Sequence, residues 1–330
     1  MMRNTDVLEA LAAWVPPVVR QWNPRWEADV ADWVEPDLSL VGDAAWGATV
    51  RDAVQLPVAD PLAWANRRVE LSDGGWAVAG IRFRGRDVTK PFVDVIATTA
   101  TPDADGLGRL AALMEHYAAF APLCLRVHLP GDRRSHVRPP GDRLGAAAGG
   151  GGPDVRPDQL VVAGRVQDMR VHPRSARSAD VELVPTTPDA AAEHAATLYA
   201  GIRRARPELD EWAAPSDADG LESAADEGLL FAVTVDGVPA GIVAAERDDA
   251  YGMTGFAVQE IVLDDAHRGQ GLGTATMQRL ADALPAAPDD VLWGHIHPDN
   301  AASLANAEST GRQVVSTLTW VTPEGHPGMP

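Results

Sequence analysis

Arg268-Gly-Gln-Gly-Leu-Gly273 lies between two stretches of different periodicity. Before it, Phe256 to Leu263 is a nearly continuous apolar run, interrupted only by Gln259 and Glu260, which predicts a strand. After it, Met277, Leu280, Ala281 and Leu284 recur at helical spacing, which predicts a helix from Thr274 to Leu284 that Pro285 ends. A diphosphate needs several backbone N–H groups converging on it with no Cβ atoms in the way. Gly269, Gly271 and Gly273 permit that approach, and Arg268 adds a full positive charge. The start of the helix contributes about half a charge more. A Rossmann dinucleotide site is excluded, because it wants Gly-x-Gly-x-x-Gly near the first strand of a βαβ unit.

Working outward, the pattern is α+β. Val181 to Val184 reads as a short strand, and Ala190 to Arg206 as a helix with Leu198 and Ile202 on one face and Pro207 behind it. Leu229–Val235, an Asp236-Gly237 turn and Ala240–Ala245 predict a hairpin, since Asp-Gly tolerates the positive φ of a tight turn. Val291 to Ile296 is another strand, Asn300 caps a helix ending at Gly311, and Val314 to Val321 closes the sheet. The Gly/Pro-rich stretch 138–154 predicts a flexible surface loop. Leu160 to Val166 is either the last strand of the first half or part of the connection. The polar stretch from His172 to Asp180 marks the junction, giving domains 1–172 and 173–330.

With Arg268, Gly271 and Gly273 after one strand, and Asn300 and Ser303 opening the helix after the next, the chain resembles the GNAT superfamily of acyl-CoA-dependent N-acyltransferases. The resemblance covers Val181 to Val321. It implies a mixed, mainly antiparallel twisted sheet flanked by helices, with acetyl-CoA bound as cosubstrate and no metal. Arg268, Gly269, Gln270, Gly271, Leu272, Gly273 and Thr274 would hold the cofactor diphosphate. Backbone groups of Ile261, Val262 and Leu263 would face the pantetheine arm where the family's fourth strand splays from its fifth, and Asn300 and Ser303 would border the same site. The implied reaction moves an acetyl or other short acyl group to a primary amine of a small molecule by direct attack. A protein or peptide amine, and a non-catalytic acyl-CoA-binding protein, are the alternatives.

Attack on a thioester requires a neutral amine, hence a general base. Glu260, a carboxylate within an apolar strand and eight residues before Arg268, is the first candidate; burial would raise its pKa toward working pH. His295 and His297 flank Ile296 at a strand end, and alternation would send both to one face. Ser303 is a further polar group nearby. Asp264 and Asp265 read as solvated turn residues. Where many family members carry the tyrosine that protonates the departing thiolate, this chain has Ala307.

The first half carries a faint echo of the second. Val93, Ile96, Gly106, Leu107 and Gly108 match Val258, Ile261, Gly271, Leu272 and Gly273, and Ser72-Asp-Gly-Gly75 matches the preceding hairpin turn. In that register Asp103 stands for Arg268, Ala104 for Gly269, Asp105 for Gln270 and Val95 for Glu260. Two acids would repel a diphosphate. The expected architecture is therefore a tandem GNAT fold with a silent first copy, either a monomer with an internal pseudo-dimer or a homodimer. Seven tryptophans of the first half, Trp14 to Trp76, are given no function, since tryptophans at helical spacing more often belong to a core than to a binding site.

The 330 residues are 45% apolar and 23% charged, as in globular proteins. A net charge of −19 argues against nucleic acid and anionic membranes as partners and tolerates a cationic acceptor. No apolar run approaches the ~20 residues of a membrane span. The single cysteine, Cys124, and an acidic rather than basic N-terminus fit a cytoplasmic location.

Overall fold

The computed structural model describes residues 4–132, 153–207, 209 and 213–330. Two compact units emerge, Met1–Leu160 with Val315–Pro330, and Val161–Val314. In chain order, α1 (Asn4–Ala12), α2 (Pro17–Trp22), α3 (Trp26–Ser39), α4 (Ala44–Val54) and α5 (Pro61–Trp64) precede β1 (Arg67–Glu70), β2 (Trp76–Phe83) and β3 (Pro91–Thr98). Then come α6 (Ala104–Leu110), α7 (Leu113–His116), β4 (Leu125–Pro130) and β5 (Asp154–Arg165). The rest is α8 (Val166–Val171), β6 (Val181–Pro185), α9 (Pro188–Ala205), α10 (Glu222–Asp226), β7 (Leu230–Val235), β8 (Val238–Arg247) and β9 (Gly255–Leu263), followed by α11 (Leu272–Ala283), β10 (Val291–Ile296), α12 (Ala301–Ser309) and β11 (Gln313–Thr322). The expected α+β class with a mainly antiparallel sheet is observed, and no helix of the described residues is long and apolar enough to cross a membrane.

In the first unit β1, β2 and β3 are antiparallel neighbours and β3 runs parallel to β4. The core holds Trp64, Leu110, Leu113 and Leu125, all fully buried. Two of the tryptophans bury their rings and place their N–H on a carbonyl, Trp14 on Ala100 at 3.0 Å and Trp64 on Val58 at 2.9 Å. Cys124 is buried, and burial pushes its thiol up to about 12, so it acts as a small apolar residue.

The second unit repeats the pattern. β6, β7, β8 and β9 are antiparallel in that order, and β9 runs parallel to β10. One face of its sheet packs on α9 and α10 through Ala191, Ala195, Leu221, Ile242 and Val262. The other packs on α11 through Leu272, Met277, Leu280 and Ala281 against Val233, Val243 and Phe256. The β7–β8 turn places Asp236 at φ 51° and Gly237 at φ 77°, as the Asp-Gly pair requires.

Three expectations change. The loop expected over 138–154 lies outside the described residues up to 152, and β5 already begins at Asp154. The division between units falls at Leu160/Val161 rather than at 172. Val161 onward joins the second unit, where β5 neighbours β10, and α8 buries Val166 and Met169 against the α11 core. His172 to Asp180 is no linker: Gln278 of α11 accepts from Ser175 N (2.9 Å) and donates to the Pro173 carbonyl (2.9 Å). The closing strand also goes elsewhere, for β11 pairs with β4, from Ser316–Pro130 to Val321–Leu125, and so completes the first unit.

The echo in the first half differs in detail. After β3 the helix begins at Ala104, so Gly106 and Gly108 lie inside α6 rather than at its mouth. A Cβ on Gly106 would meet the Thr101 carbonyl oxygen at 2.0 Å, so this glycine serves packing. Asp103 caps the helix with its own carboxylate, Oδ1 accepting from Gly106 N at 2.9 Å.

The strand assignment makes a test. Burying Val166 and Met169 is worth roughly 1.5–3 kcal/mol each, a large part of a domain's ~5–15 kcal/mol. A fragment of residues 154–314 should melt cooperatively by circular dichroism. Residues 173–330, which lack β5 and α8, should aggregate or show no transition; equal melting of the two fragments would overturn this division.

Candidate active site

The site is built where β9 and β10 part. Their parallel register pairs Val291–Trp293 with Gly255–Phe256–Ala257 and ends there, although β9 runs on to Leu263. On its other side β9 stays paired with β8 as far as Leu263–Gly241. The ladder with β8 shifts between Ala244 and Ala245, so that Glu260 faces Ala244, Val258 faces Ala245, and Gln259 is the extra residue of a bulge. The bulge reverses the alternation. Phe256 and Val258 before it, and Ile261 and Leu263 after it, all join the core around α11. Glu260, like Val262, turns to the α9 face.

There Glu260 is 5% exposed and both its oxygens are held. The Tyr199 hydroxyl of α9 donates to Oε1 at 3.0 Å, and the Ser216 backbone N–H donates to Oε2 at 3.1 Å. Burial raises the Glu260 pKa, against the lowering pull of the Ser216 N–H and the Tyr199 hydroxyl. Burial, and then the charge of Glu260, raise the Tyr199 phenol, which therefore stays a donor. The result is a fixed carboxylate with a lifted pKa beside an opened strand edge.

The glycine loop presents a helix start without a side-chain cap. Gly271 is the N-cap of α11 at φ 76°, no side chain bonds to the helix start, and Gly269 adopts φ 70°. The first N–H groups of α11 thus lack intrahelical partners and point outward. A Cβ on Gly269 would meet nothing within 4 Å, while one on Gly271 would meet only Ser175 Oγ at 3.6 Å, so the approach to the loop is open. This geometry fits the diphosphate of an acyl-CoA, for which Leu272, Gly273 and Thr274 offer backbone donors. At Gly273 a side chain would press on the Asn306 amide, whose Oδ1 is buried without a hydrogen-bond partner.

Other expected residues have different neighbours. Arg268 does not stand as a lone charge: its Nε–H donates to the Leu263 carbonyl at 2.8 Å and Nη1 pairs with Asp265 at 2.7 Å. It braces the loop against β9, and that carbonyl of the Ile261–Leu263 edge is already taken. Asp265 is therefore an ion-pair partner, and Asp264 accepts from His267 N at 3.0 Å as a turn cap. The Gln270 side chain folds back to the Ala266 carbonyl and accepts from Arg177 at 3.4 Å. The Thr274 hydroxyl bonds Ser309 at 2.7 Å. Asn300 caps α12, its Oδ1 accepting from Ser303 N at 3.1 Å, which commits one group of each to the helix.

The two histidines do not share a strand face, because β10 ends at Ile296 and His297 lies in the turn to α12. His295 is exposed and bonds the Tyr251 hydroxyl through Nε2 at 3.0 Å, with the Trp293 ring edge-on at 5.4 Å. His297 Nδ1 bonds Asp299 N at 3.3 Å. Ala307 is fully buried. Sequence reasoning missed Tyr199, Ser216, Ser175 and Arg177. All four reach the site from segments remote in sequence, and none stands in a recognisable motif.

Comparison with known proteins bears on this arrangement. The model of the Acetyltransferase (GNAT) family matches residues 195–311, which include Tyr199, Ser216, Glu260, the glycine loop and Asn300. No curated protein matches the chain. Among solved structures, it is similar to a GCN5-related N-acetyltransferase from Sphaerobacter thermophilus (14% identity, 87% of this chain and 93% of that one, TM-score 0.47). It is also similar to a GNAT-family acetyltransferase from Colwellia psychrerythraea (10% identity, 76% and 81%, TM-score 0.44). A third is a tandem GNAT protein from the clavulanic acid biosynthesis pathway (17% identity, 76% and 80%, TM-score 0.40). The chain thus carries, at residues 195–311, an acetyltransferase domain of the GNAT family, whose chemistry is acyl transfer from acyl-CoA.

Proposed function

We propose that the second unit transfers an acetyl or other short acyl group from acyl-CoA to a primary amine of a small molecule, with Glu260 as general base. The observation that carries this reading is the buried Glu260 carboxylate, turned by the Gln259 bulge to the strand edge that β10 leaves open. Acyl-CoA supplies the activated thioester. The chain holds it by the uncapped start of α11 and the open Gly269–Gly271 turn. Glu260 takes the proton that an attacking ammonium must lose, and its raised pKa suits that exchange. The first unit is read as silent, since Asp103 already fills the start of α6.

A second reading, a non-catalytic acyl-CoA binder, has support in Ala307, a buried side chain with no proton to give a leaving thiolate. Thiolates are weakly basic enough to leave into water, which keeps catalysis the preferred reading. Release of free thiol with a panel of small amines decides between the two. Binding without amine-dependent thiol release across the panel would favour the binder.

Acetyl-CoA should titrate by calorimetry to one site per chain, and Gly271→Glu should abolish that heat. The new side chain has room but adds a negative charge at the helix start, together with about 1–2 kcal/mol of backbone strain at positive φ. Unchanged affinity in a folded variant would place the cofactor elsewhere.

Glu260→Gln should lower turnover by about 100-fold or more, with little change in acetyl-CoA affinity. The sign of the pH effect follows from the role. A base must be ionised, so kcat/KM falls as pH drops through the Glu260 pKa, and this acidic limb should vanish in the variant. Wild-type turnover with an unshifted limb would remove Glu260 from the mechanism and bring His295 forward.

A further inference from the structure

We propose that Tyr199 is a positioning residue of this site, its hydroxyl holding the Glu260 carboxylate in one orientation and in the charged, proton-accepting form. The inference rests on the reading of Glu260 as the base, and extends it to a residue on another element.

The geometry is specific. Tyr199 lies in α9, far from β9 in sequence, and its hydroxyl donates to Oε1 while Ser216 N–H holds Oε2. The phenol is the donor that α9 contributes, and substitution can remove it while the Ser216 backbone N–H stays. A buried carboxylate that loses this donor would be driven further toward its neutral form, which cannot accept a proton from an amine. The phenol itself does not compete for that proton, because burial and the neighbouring carboxylate keep it protonated.

The surrounding charges leave this role to the hydroxyl. On α9, Arg203 is engaged with the Ala213 carbonyl, through Nε at 3.1 Å and Nη2 at 2.7 Å. Arg268, beyond β9, is paired with Asp265. Both arginines act on the Tyr199 phenol and lower it less than burial raises it. Beside Ser216, Asp217 is turned to Gly220 N at 2.9 Å. From β8, Glu246 is held by Gln259, and on β10 His295 is bonded to Tyr251. The forces acting directly on Glu260 are its burial and hydrogen bonds from Ser216, Tyr199 and the Ile261 backbone.

The test reads the carboxylate directly. The full chain, labelled with carboxyl-13C glutamate and assigned by Glu260→Gln, is titrated by NMR as wild type and as Tyr199→Phe. Loss of one charge-assisted hydrogen bond should raise the Glu260 pKa by about one unit. The acidic limb of kcat/KM should move up with it, and activity should recover at higher pH. Fluorotyrosine placed at position 199 is a stronger donor of nearly the same shape. It should move both quantities down, and it keeps the test available if Tyr199→Phe unfolds. An unmoved Glu260 pKa in both folded variants would overturn the role of Tyr199. A moved pKa with no change in the limb would leave Tyr199 as the partner of Glu260 but refute Glu260 as the base, so the two failures are distinguishable.

Discussion

One extra residue in β9 sets the geometry of the candidate site. Strict alternation would carry the parity of Phe256 and Val258 on to Glu260 and bury a carboxylate in the apolar layer under α11. No donor awaits it among the aliphatic side chains there, and an uncompensated buried charge costs far more than a bulge. The bulge at Gln259 exchanges the faces, so that Ile261 and Leu263 take the α11 side and Glu260 meets Tyr199 and Ser216. Beyond the bulge β9 is no longer laddered to β10, and a strand edge opens beside the carboxylate. The proposed proton acceptor and the opened edge lie on the same few residues of one strand.

The two helix starts differ in whether a side chain of the chain already occupies them. Both α6 and α11 follow a strand that has one parallel neighbour. At α11 the cap is a left-handed glycine, and the first N–H groups have no side chain to bind. At α6 a carboxylate of the chain itself accepts from Gly106 N, and Asp103 is shifted to lower pKa chiefly by that bond. A diphosphate would have to displace a fixed anion at α6 but only water at α11. The strands alone do not distinguish the two units; a single cap residue does.

Much of the second unit was legible because its signals are local. Pro207 and Pro285, the Asp236-Gly237 turn and the aliphatic runs bound β7 through β10 and α11 within a few residues of their observed ends. The exchange of strands was not legible. Val314–Val321 reads as a strand in sequence and Leu160–Val166 as either a strand or part of the connection, but which strands each neighbours depends on contacts across more than a hundred residues. Gln259 and Glu260 stood out as polar in an apolar run, yet a bulge has no sequence mark comparable to a turn glycine. Arg268 was legible as a cation at the loop but not as a brace, since its partners are a carbonyl and the neighbouring Asp265.

The site's partners are drawn from separate elements, and this constrains how it can be assembled. Tyr199 comes from α9, Ser216 from the segment before α10, Arg177 from the stretch docked on α11, and Glu260 from β9. None of these contacts is made by neighbours in sequence: detaching α9 would remove Tyr199 from Glu260, and detaching the 172–180 segment would remove Arg177 from Gln270. A buried carboxylate stays ionised only while its donors are in place, and Tyr199 is in place only while α9 is packed on the sheet. Docking of α9 and ionisation of the proposed base are thus coupled, because the Tyr199 hydroxyl that reaches β9 is also a donor to Glu260.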